Sequence, residues 1–119
     1  MSVLEELKDS SYWELLLWLL GRRWRFRVKG VSMSPLLKPG DEILVNPGAY
    51  RNRLPYPGEI VVAKHPYQTQ LRLVKRVVLV LEEGCCFLKG ENLSESTDSR
   101  SFGLVSSEQI LGKVTSRFR

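Results

Sequence analysis

Three proline–glycine pairs, Pro39-Gly40, Pro47-Gly48 and Pro57-Gly58, divide the middle of this chain. Proline lacks a backbone N–H and cannot continue a helix, whereas glycine adopts the positive φ angles that tight turns require. Two segments beside these turns, residues 42–45 and 59–63, are short and apolar, as β-strands are. The spacing therefore predicts a mainly β fold of short, mostly antiparallel strands.

Alternation of apolar with basic side chains predicts the first strand, over residues 24–29. The chain has 119 residues, which is the length of one domain. We therefore expect a single small β domain over residues 22–119, preceded by a helical segment over 1–21. Further strands are expected over residues 42–45, 59–63, 71–81, 85–89 and 109–116, with a polar loop over 90–101.

The segment Tyr12–Leu20 is the most apolar part of the chain and ends at Gly21, which predicts an N-terminal helix capped near Asp9 or Ser10. Nine helical residues rise only about 14 Å, about half the hydrocarbon thickness of a bilayer, so this segment is too short to cross one. Its apolar residues almost encircle the helix, which favours packing on the domain. The alternative is peripheral membrane contact, with the tryptophans at the headgroups and the following arginines on anionic lipid.

The composition argues against several classes of protein. His65 is the only histidine, and Cys85 and Cys86 are adjacent, so the sequence offers neither a His/Cys zinc cluster nor a disulfide framework. A net charge of +5 is compatible with an anionic partner, but scattered surface charge of this size mainly serves solubility. We expect a soluble, cytoplasmic protein with no cofactor, no metal and no nucleic acid partner.

The predicted strand over residues 71–81 carries one charged side chain in an otherwise aliphatic row. Successive strand residues point to opposite faces, so Lys75 shares a face with the leucines and valines at the other odd positions. Arg72 and Arg76 fall on the other face, where a cation can be solvated. Burial lowers the pKa of a lysine and makes Lys75 a candidate general base. The alternative is that Lys75 lies near an edge and extends its ammonium group into water.

A candidate nucleophile, Ser32, follows the first predicted strand in the segment 30–35. Gly30 lets a bound backbone approach closely, and Pro35 holds Ser34 extended, so Ser32 is expected on an exposed bend. A serine hydroxyl needs an adjacent base to act as a nucleophile. Because turns are rich in serine, Ser32 by itself is weak evidence for catalysis.

Four ordered motifs in this sequence resemble those of the signal-peptidase family of serine–lysine proteases. The first is Gly-Val-Ser-Met-Ser-Pro at 30–35, and the second is Lys-Pro-Gly-Asp at 38–41, followed by Ile43 and Val45. The third is Lys-Arg-Val at 75–77. The fourth comprises residues 90–92, 96–100 and 102–103. No single motif is decisive, but the four in this order are specific.

The resemblance implies a signal-peptidase-like β fold and a role for several residues. Ser32 would be the nucleophile, and its backbone N–H would help to form the oxyanion hole. Lys75 would be the general base, and Ser96 would orient its amine. Asp98 and Arg100 would hold the loop as an ion pair. An extended substrate would add a strand beside the residues Gly30, Met33, Leu71 and Leu73.

Within this family, the small size, His65-Pro66 and the run Ser94–Gly103 look most like the subgroup that matures nickel-type superoxide dismutase. That resemblance implies a serine endopeptidase that removes a short N-terminal extension from the proprotein of the dismutase. The chain departs from the family pattern at Glu91, where aspartate is usual, and at Gly30, where some members place a hydroxyl. The sequence does not give the oligomeric state.

Two other functions stay open on the sequence. One is a signal peptidase acting at a membrane surface, held there by the Tyr12–Leu20 helix. The other is the self-cleaving domain of a DNA-binding regulator, since such domains share the serine–lysine dyad, and residues 22–29 are basic with interleaved aromatics. The second is disfavoured because no helix-turn-helix pattern precedes these residues and their alternation suits a strand.

Overall fold

A computed structural model describes residues 7–68, 70–92 and 97–118 of the chain. In this part of the chain, six strands form one antiparallel sheet, which confirms the predicted fold class. The strands are β1 (Trp24–Arg27), β2 (Glu42–Asn46), β3 (Ile60–Lys64), β4 (Arg72–Val80), β5 (Cys86–Lys89) and β6 (Ile110–Arg117). Their order across the sheet is β1-β2-β6-β3-β4-β5.

Beside the strands the described residues form two α-helices, α1 (Tyr12–Leu19) and α2 (Ser99–Phe102), and a 3₁₀ turn at Ser107–Gln109. The prediction of a loop throughout 90–101 is therefore wrong at its end. Asp98 caps α2, because its side chain accepts a hydrogen bond from the backbone N–H of Arg100 at 3.1 Å. A helix of one turn is too short to show an apolar periodicity, so only the capping residue Asp98 could have indicated α2 in the sequence.

Strand β4 contains a bulge that changes which of its side chains face the core. Its pairing with β5 shifts register between Val77 and Leu79, which leaves Val78 as an extra residue. Beyond the bulge Val80 packs against a core, whereas Leu79 is 51% exposed. The prediction that the odd positions from 71 to 81 share one apolar face is therefore wrong beyond Val77.

Arg76 is buried, which contradicts the expectation that this cation is solvated. Its guanidinium pairs with the Glu91 carboxylate and donates a hydrogen bond to the carbonyl of Gly58 at 2.6 Å. A charged carboxylate and a carbonyl dipole replace the water that the guanidinium loses, which makes its burial tolerable. Arg76 thereby joins the turn before β3 to the loop after β5.

Each face of the sheet carries its own apolar core. Strand β3 contributes to both, because its side chains alternate: Ile60 and Val62 belong to the first core, Val61 and Ala63 to the second. Other members of the first core are Leu7, Val28, Met33, Leu37, Ile43, Val45, Val74 and Val114. Other members of the second core are Val77, Cys86, Leu88, Phe102 and Val105.

Helix α1 begins at Tyr12, and its N-cap is Ser11 rather than Asp9 or Ser10, because the Ser11 side chain accepts a hydrogen bond from the N–H of Glu14 at 3.2 Å. One side of the helix contacts the end of β6: Glu14 accepts a hydrogen bond from Ser116, and the Trp18 ring meets Phe118 at 4.9 Å. The other side is exposed, so the expected packing on the domain holds for one side only. None of the helices in residues 7–68, 70–92 and 97–118 is both long and apolar enough to cross a membrane.

Candidate active site

A cavity of about 300 Å³ lies between the end of β1 and the beginning of β4. Its walls combine apolar side chains with two exposed cations, Lys29 and Arg72. Gln70 and Leu71, which precede β4, complete one side. The residues that line it are Phe26, Val28, Lys29, Ser32, Met33, Gln70, Leu71, Arg72 and Val74.

Ser32 is a half-buried residue in the wall of this cavity. Its segment is held on both sides: Met33 is 1% exposed in the first core, and Asn92 donates its backbone N–H to the Ser32 carbonyl at 2.8 Å. The Asn92 side chain also donates to the carbonyl of Val31 at 3.2 Å. Neither the N–H nor the hydroxyl of Ser32 is hydrogen-bonded to another described residue, so both can meet a substrate.

Lys75 lies in β4 and is 3% exposed, with its backbone paired to Val61 of β3. Val61 and Val77 are members of the second core, so the Lys75 side chain leaves β4 on the same face as an apolar cluster. Burial lowers the pKa of Lys75, because the charged ammonium form loses its hydration. The Asp98 carboxylate opposes this effect, and the Arg100 guanidinium adds to it. The net result is a pKa below the ordinary lysine value of 10.5.

Asp98 is a buried carboxylate that organises this region. It accepts hydrogen bonds from the N–H of Gly90 at 3.0 Å and from the Arg100 guanidinium at 2.9 and 3.0 Å. Its negative charge raises the pKa of Lys75, but less than burial lowers it. Asp98 and Arg100 thus form an ion pair at the start of α2.

The stretch 90–92 connects the serine segment to the lysine strand. The pairing of Arg76 with Lys89 brings Gly90, the first residue after β5, alongside Lys75 of β4. Two residues later, Asn92 holds the carbonyl of Ser32. The same short stretch therefore contacts Asp98, runs beside the lysine strand and fixes the serine turn.

The other residues that the sequence indicated lie in several places. Met33 and Leu71 line the cavity. Gly30 and Leu73 do not line it within the described part of the chain, and Leu73 packs against the second core. Ser96 lies outside the described residues.

Sequence reasoning assigned no role to several residues that the structure places at this site. Phe26 and Val28 follow from the first strand's alternation, but nothing in the sequence shows that the end of β1 faces the start of β4. Arg72 is exposed, as expected, and it also lines this cavity. Asn92 belongs to one of the four motifs, but the motif does not show that Asn92 hydrogen-bonds the carbonyls of Val31 and Ser32.

A serine at a cavity and a buried lysine of lowered pKa are the two groups that a serine–lysine hydrolase uses, although Lys75 is not among the described residues that line this cavity. The family model described as signal peptidase, peptidase S26, matches residues 16–80 and 79–119. The chain therefore belongs to the signal peptidase family, peptidase S26.

Curated relatives are consistent with this family. Subunit 1 of the mitochondrial inner membrane protease of Xenopus tropicalis is 29% identical over 107 residues, covering 74% of this chain and 64% of the relative. Signal peptidase I of Pseudomonas aeruginosa is 31% identical over 103 residues, covering 76% of this chain and 36% of the relative. Subunit 2 of the mouse mitochondrial inner membrane protease is 31% identical, covering 67% of this chain and 58% of the relative. The chain thus spans less than two thirds of the length of these relatives.

Proposed function

We propose that this protein is a serine endopeptidase in which Ser32 is the nucleophile and Lys75 the general base. The observation that carries the proposal is the burial of Lys75 on an apolar face, which lowers its pKa and favours the neutral amine. A neutral amine can accept the proton of a serine hydroxyl, whereas an ammonium ion cannot. Ser32 supports the proposal because it lies at a cavity and its segment is fixed by Asn92.

The chemistry proceeds through an acyl-enzyme. The Lys75 amine takes the proton of the Ser32 hydroxyl as the oxygen attacks the scissile carbonyl, and the backbone N–H of Ser32 donates a hydrogen bond to the oxyanion. The Lys75 ammonium then gives its proton to the leaving amine. A water molecule, deprotonated by Lys75 in turn, hydrolyses the ester and restores the serine. Ser96 orients the Lys75 amine in this scheme, as the family resemblance implies.

The substrate in this proposal is a precursor protein bound in an extended conformation across the cavity, from which a short N-terminal extension is removed. Val28, Met33 and Val74 offer an apolar wall for the side chains before the scissile bond. The resemblance to the maturation protease subgroup points to the proprotein of nickel superoxide dismutase. The names of the relatives support a second candidate, a signal peptidase that acts on precursors at a membrane.

The test uses a peptide that spans the processing site of the dismutase precursor and a second peptide from an exported precursor, with products identified by mass spectrometry. Ser32→Ala and Lys75→Ala are each expected to abolish cleavage while circular dichroism shows a folded protein. Ser101→Ala and Lys64→Ala are matched controls, since both side chains are exposed and lie outside the cavity. Full activity in either dyad variant would overturn the assignment.

The two peptides separate the candidate substrates. Cleavage of the dismutase peptide alone supports the maturation protease, and cleavage of the exported peptide alone supports the signal peptidase. Incubating the protein by itself at raised pH tests the third possibility, because a self-cleaving domain releases fragments without any added substrate.

A further inference from the structure

The cavity at Ser32 has an apolar floor and a cationic rim. Its floor is formed by side chains that are buried, Val28, Met33 and Val74. Its two cations are exposed and come from different elements, because Lys29 follows β1 and Arg72 begins β4. Among the described residues that line the cavity, none is a carboxylate. The rim therefore carries positive charge that no lining residue balances.

The surroundings of Arg72 add to this positive charge. The register of β3 and β4 places Lys64 directly opposite Arg72, and both side chains are exposed. Like charges directly opposite each other destabilise an antiparallel pair of strands. The side chains of Lys29 and Arg72 form no ion pair or hydrogen bond with another residue in the described part of the chain. Both cations are thus free to bind an anion that enters the cavity.

Many cations elsewhere in the described chain are balanced by a carboxylate. These ion pairs are Arg23 with Glu14, Arg25 and Arg27 with Glu42, Arg53 and Lys113 with Glu59, Arg76 with Glu91, Arg100 with Asp98, and Arg117 with Asp9. Lys29 and Arg72 differ from these cations because they lack such a carboxylate and meet at a cavity instead. A cavity lined by charge of one sign attracts ligands of the opposite sign.

We infer that Lys29 and Arg72 select precursors that carry acidic side chains beside the scissile bond. This inference rests on the proposed peptidase function, because it assigns a side-chain preference to the same cavity. Successive side chains of an extended peptide point in opposite directions, so apolar side chains that enter the floor alternate with side chains that stay at the rim. Aspartate or glutamate at the rim would pair with Lys29 and Arg72, whereas lysine or arginine would be repelled. The substrate class is a segment that alternates small apolar with acidic residues.

The two cations act on substrate binding rather than on the chemical step. Exposed ion pairs are weak, so each cation is expected to change the affinity for an acidic segment about two- to fivefold. The ion pairs are the same in the bound substrate and in the transition state, so their loss raises KM and leaves kcat unchanged. This effect distinguishes Lys29 and Arg72 from the proposed dyad, because loss of Ser32 or Lys75 removes kcat.

The probes are three synthetic peptides that alternate alanine and valine with aspartate, with asparagine or with lysine and are otherwise identical. Binding is measured by calorimetry on Ser32→Ala, which leaves the peptides intact. The aspartate peptide is expected to bind best and the lysine peptide worst, with a smaller difference at about 0.5 M salt, where the screening length is about 4 Å. Adding Lys29→Gln/Arg72→Gln is expected to weaken binding of the aspartate peptide about tenfold and to leave the asparagine peptide unchanged. Adding Lys29→Glu/Arg72→Glu instead is expected to reverse the preference, which misfolding cannot do.

A matched control removes the same charge elsewhere. Arg22→Gln/Arg51→Gln, also made in Ser32→Ala, changes two exposed cations that line a separate cavity and is expected to leave the binding of all three peptides unchanged. Equal affinity for the aspartate and asparagine peptides would overturn the inference, as would a preference that the control loses as much as Lys29→Gln/Arg72→Gln does.

Cleavage of the same peptides by the chain with Ser32 intact, followed by mass spectrometry, tests the chemistry separately. Binding that prefers the aspartate peptide without any cleavage would support the charge selection and contradict the proposed peptidase chemistry. Cleavage of all three peptides with equal kcat/KM would support the chemistry and overturn the charge selection.

Discussion

Glu59 at the start of β3 gives a stability prediction whose size follows from its contacts. Its carboxylate accepts two hydrogen bonds from Arg53, at 3.1 and 2.9 Å, one from the Tyr50 hydroxyl at 3.1 Å and one from the backbone N–H of Tyr56 at 2.8 Å. Lys113 lies 3.3 Å away. Burial raises the pKa of Glu59, but these donors outweigh burial and lower it from 4.5 to about 2.

The lowered pKa means that folding favours the ionised form of Glu59. This contribution is fully present above pH 4.5 and is lost as the pH falls from 4.5 towards 2. The interval between these values, at about 1.4 kcal/mol per pH unit, corresponds to about 3 kcal/mol. Because Arg53 and Lys113 are 33% and 24% exposed, water screens part of this energy, and we expect about 2 kcal/mol from Glu59→Gln at pH 7.

The assay is urea unfolding followed by tryptophan fluorescence at pH 7, 4.5 and 2.5, on the wild type and on Glu59→Gln. The difference in the free energy of unfolding is expected to be about 2 kcal/mol at pH 7 and to shrink towards pH 2.5, since protonation removes the charge that the variant lacks. Glu82→Gln at the exposed β4–β5 turn changes the net charge equally and is expected to have little effect. A difference below 0.5 kcal/mol at pH 7, or one that is the same at all three pH values, would refute the reasoning.

The other predictions concern the site and the sheet. Arg100→Gln removes a positive charge that lowers the pKa of Lys75, and it breaks the ion pair with the Asp98 carboxylate, which raises that pKa. The acid limb of kcat/KM for precursor cleavage is therefore expected to move to higher pH. An acid limb that stays in place or moves to lower pH would contradict this. Gly112→Ala is expected to lower the free energy of unfolding by about 2 kcal/mol or more, because a Cβ there would lie 2.6 Å from the carbonyl oxygen of Asn46. Gly48→Ala, where the nearest atoms are side-chain atoms 3.4 Å away, is its control and is expected to change stability little in urea unfolding.

The sequence predicted most of the strands because turn residues and apolar segments are local signals. It could not predict the bulge at Val78, which depends on how β4 pairs with β5. Nor could it predict that Arg76 is buried, because the carboxylate and carbonyl that hold this cation come from other parts of the chain. In both cases contacts with distant parts of the chain, rather than the local sequence pattern, decide which side chains of the strand are buried.

The candidate site was predictable to a different extent for each residue. The alternation around Lys75 indicated a cation among apolar side chains, and the structure gives it the burial that lowers its pKa. Ser32 was indicated mainly by resemblance, since one serine beside a turn is uninformative. The hydrogen bond from the backbone N–H of Asn92 to the carbonyl of Ser32 could not be predicted, because it joins residues that are 60 positions apart in sequence.

The most direct test of the proposed dyad is an NMR titration of the Lys75 side-chain amine, assigned by comparison with Lys75→Met. The account predicts that this amine titrates below the ordinary lysine pKa of 10.5 and that the acid limb of kcat/KM follows the same curve. A Lys75 amine that titrates at or above 10.5, or a cleavage profile unrelated to its titration, would contradict the assignment of Lys75 as the general base.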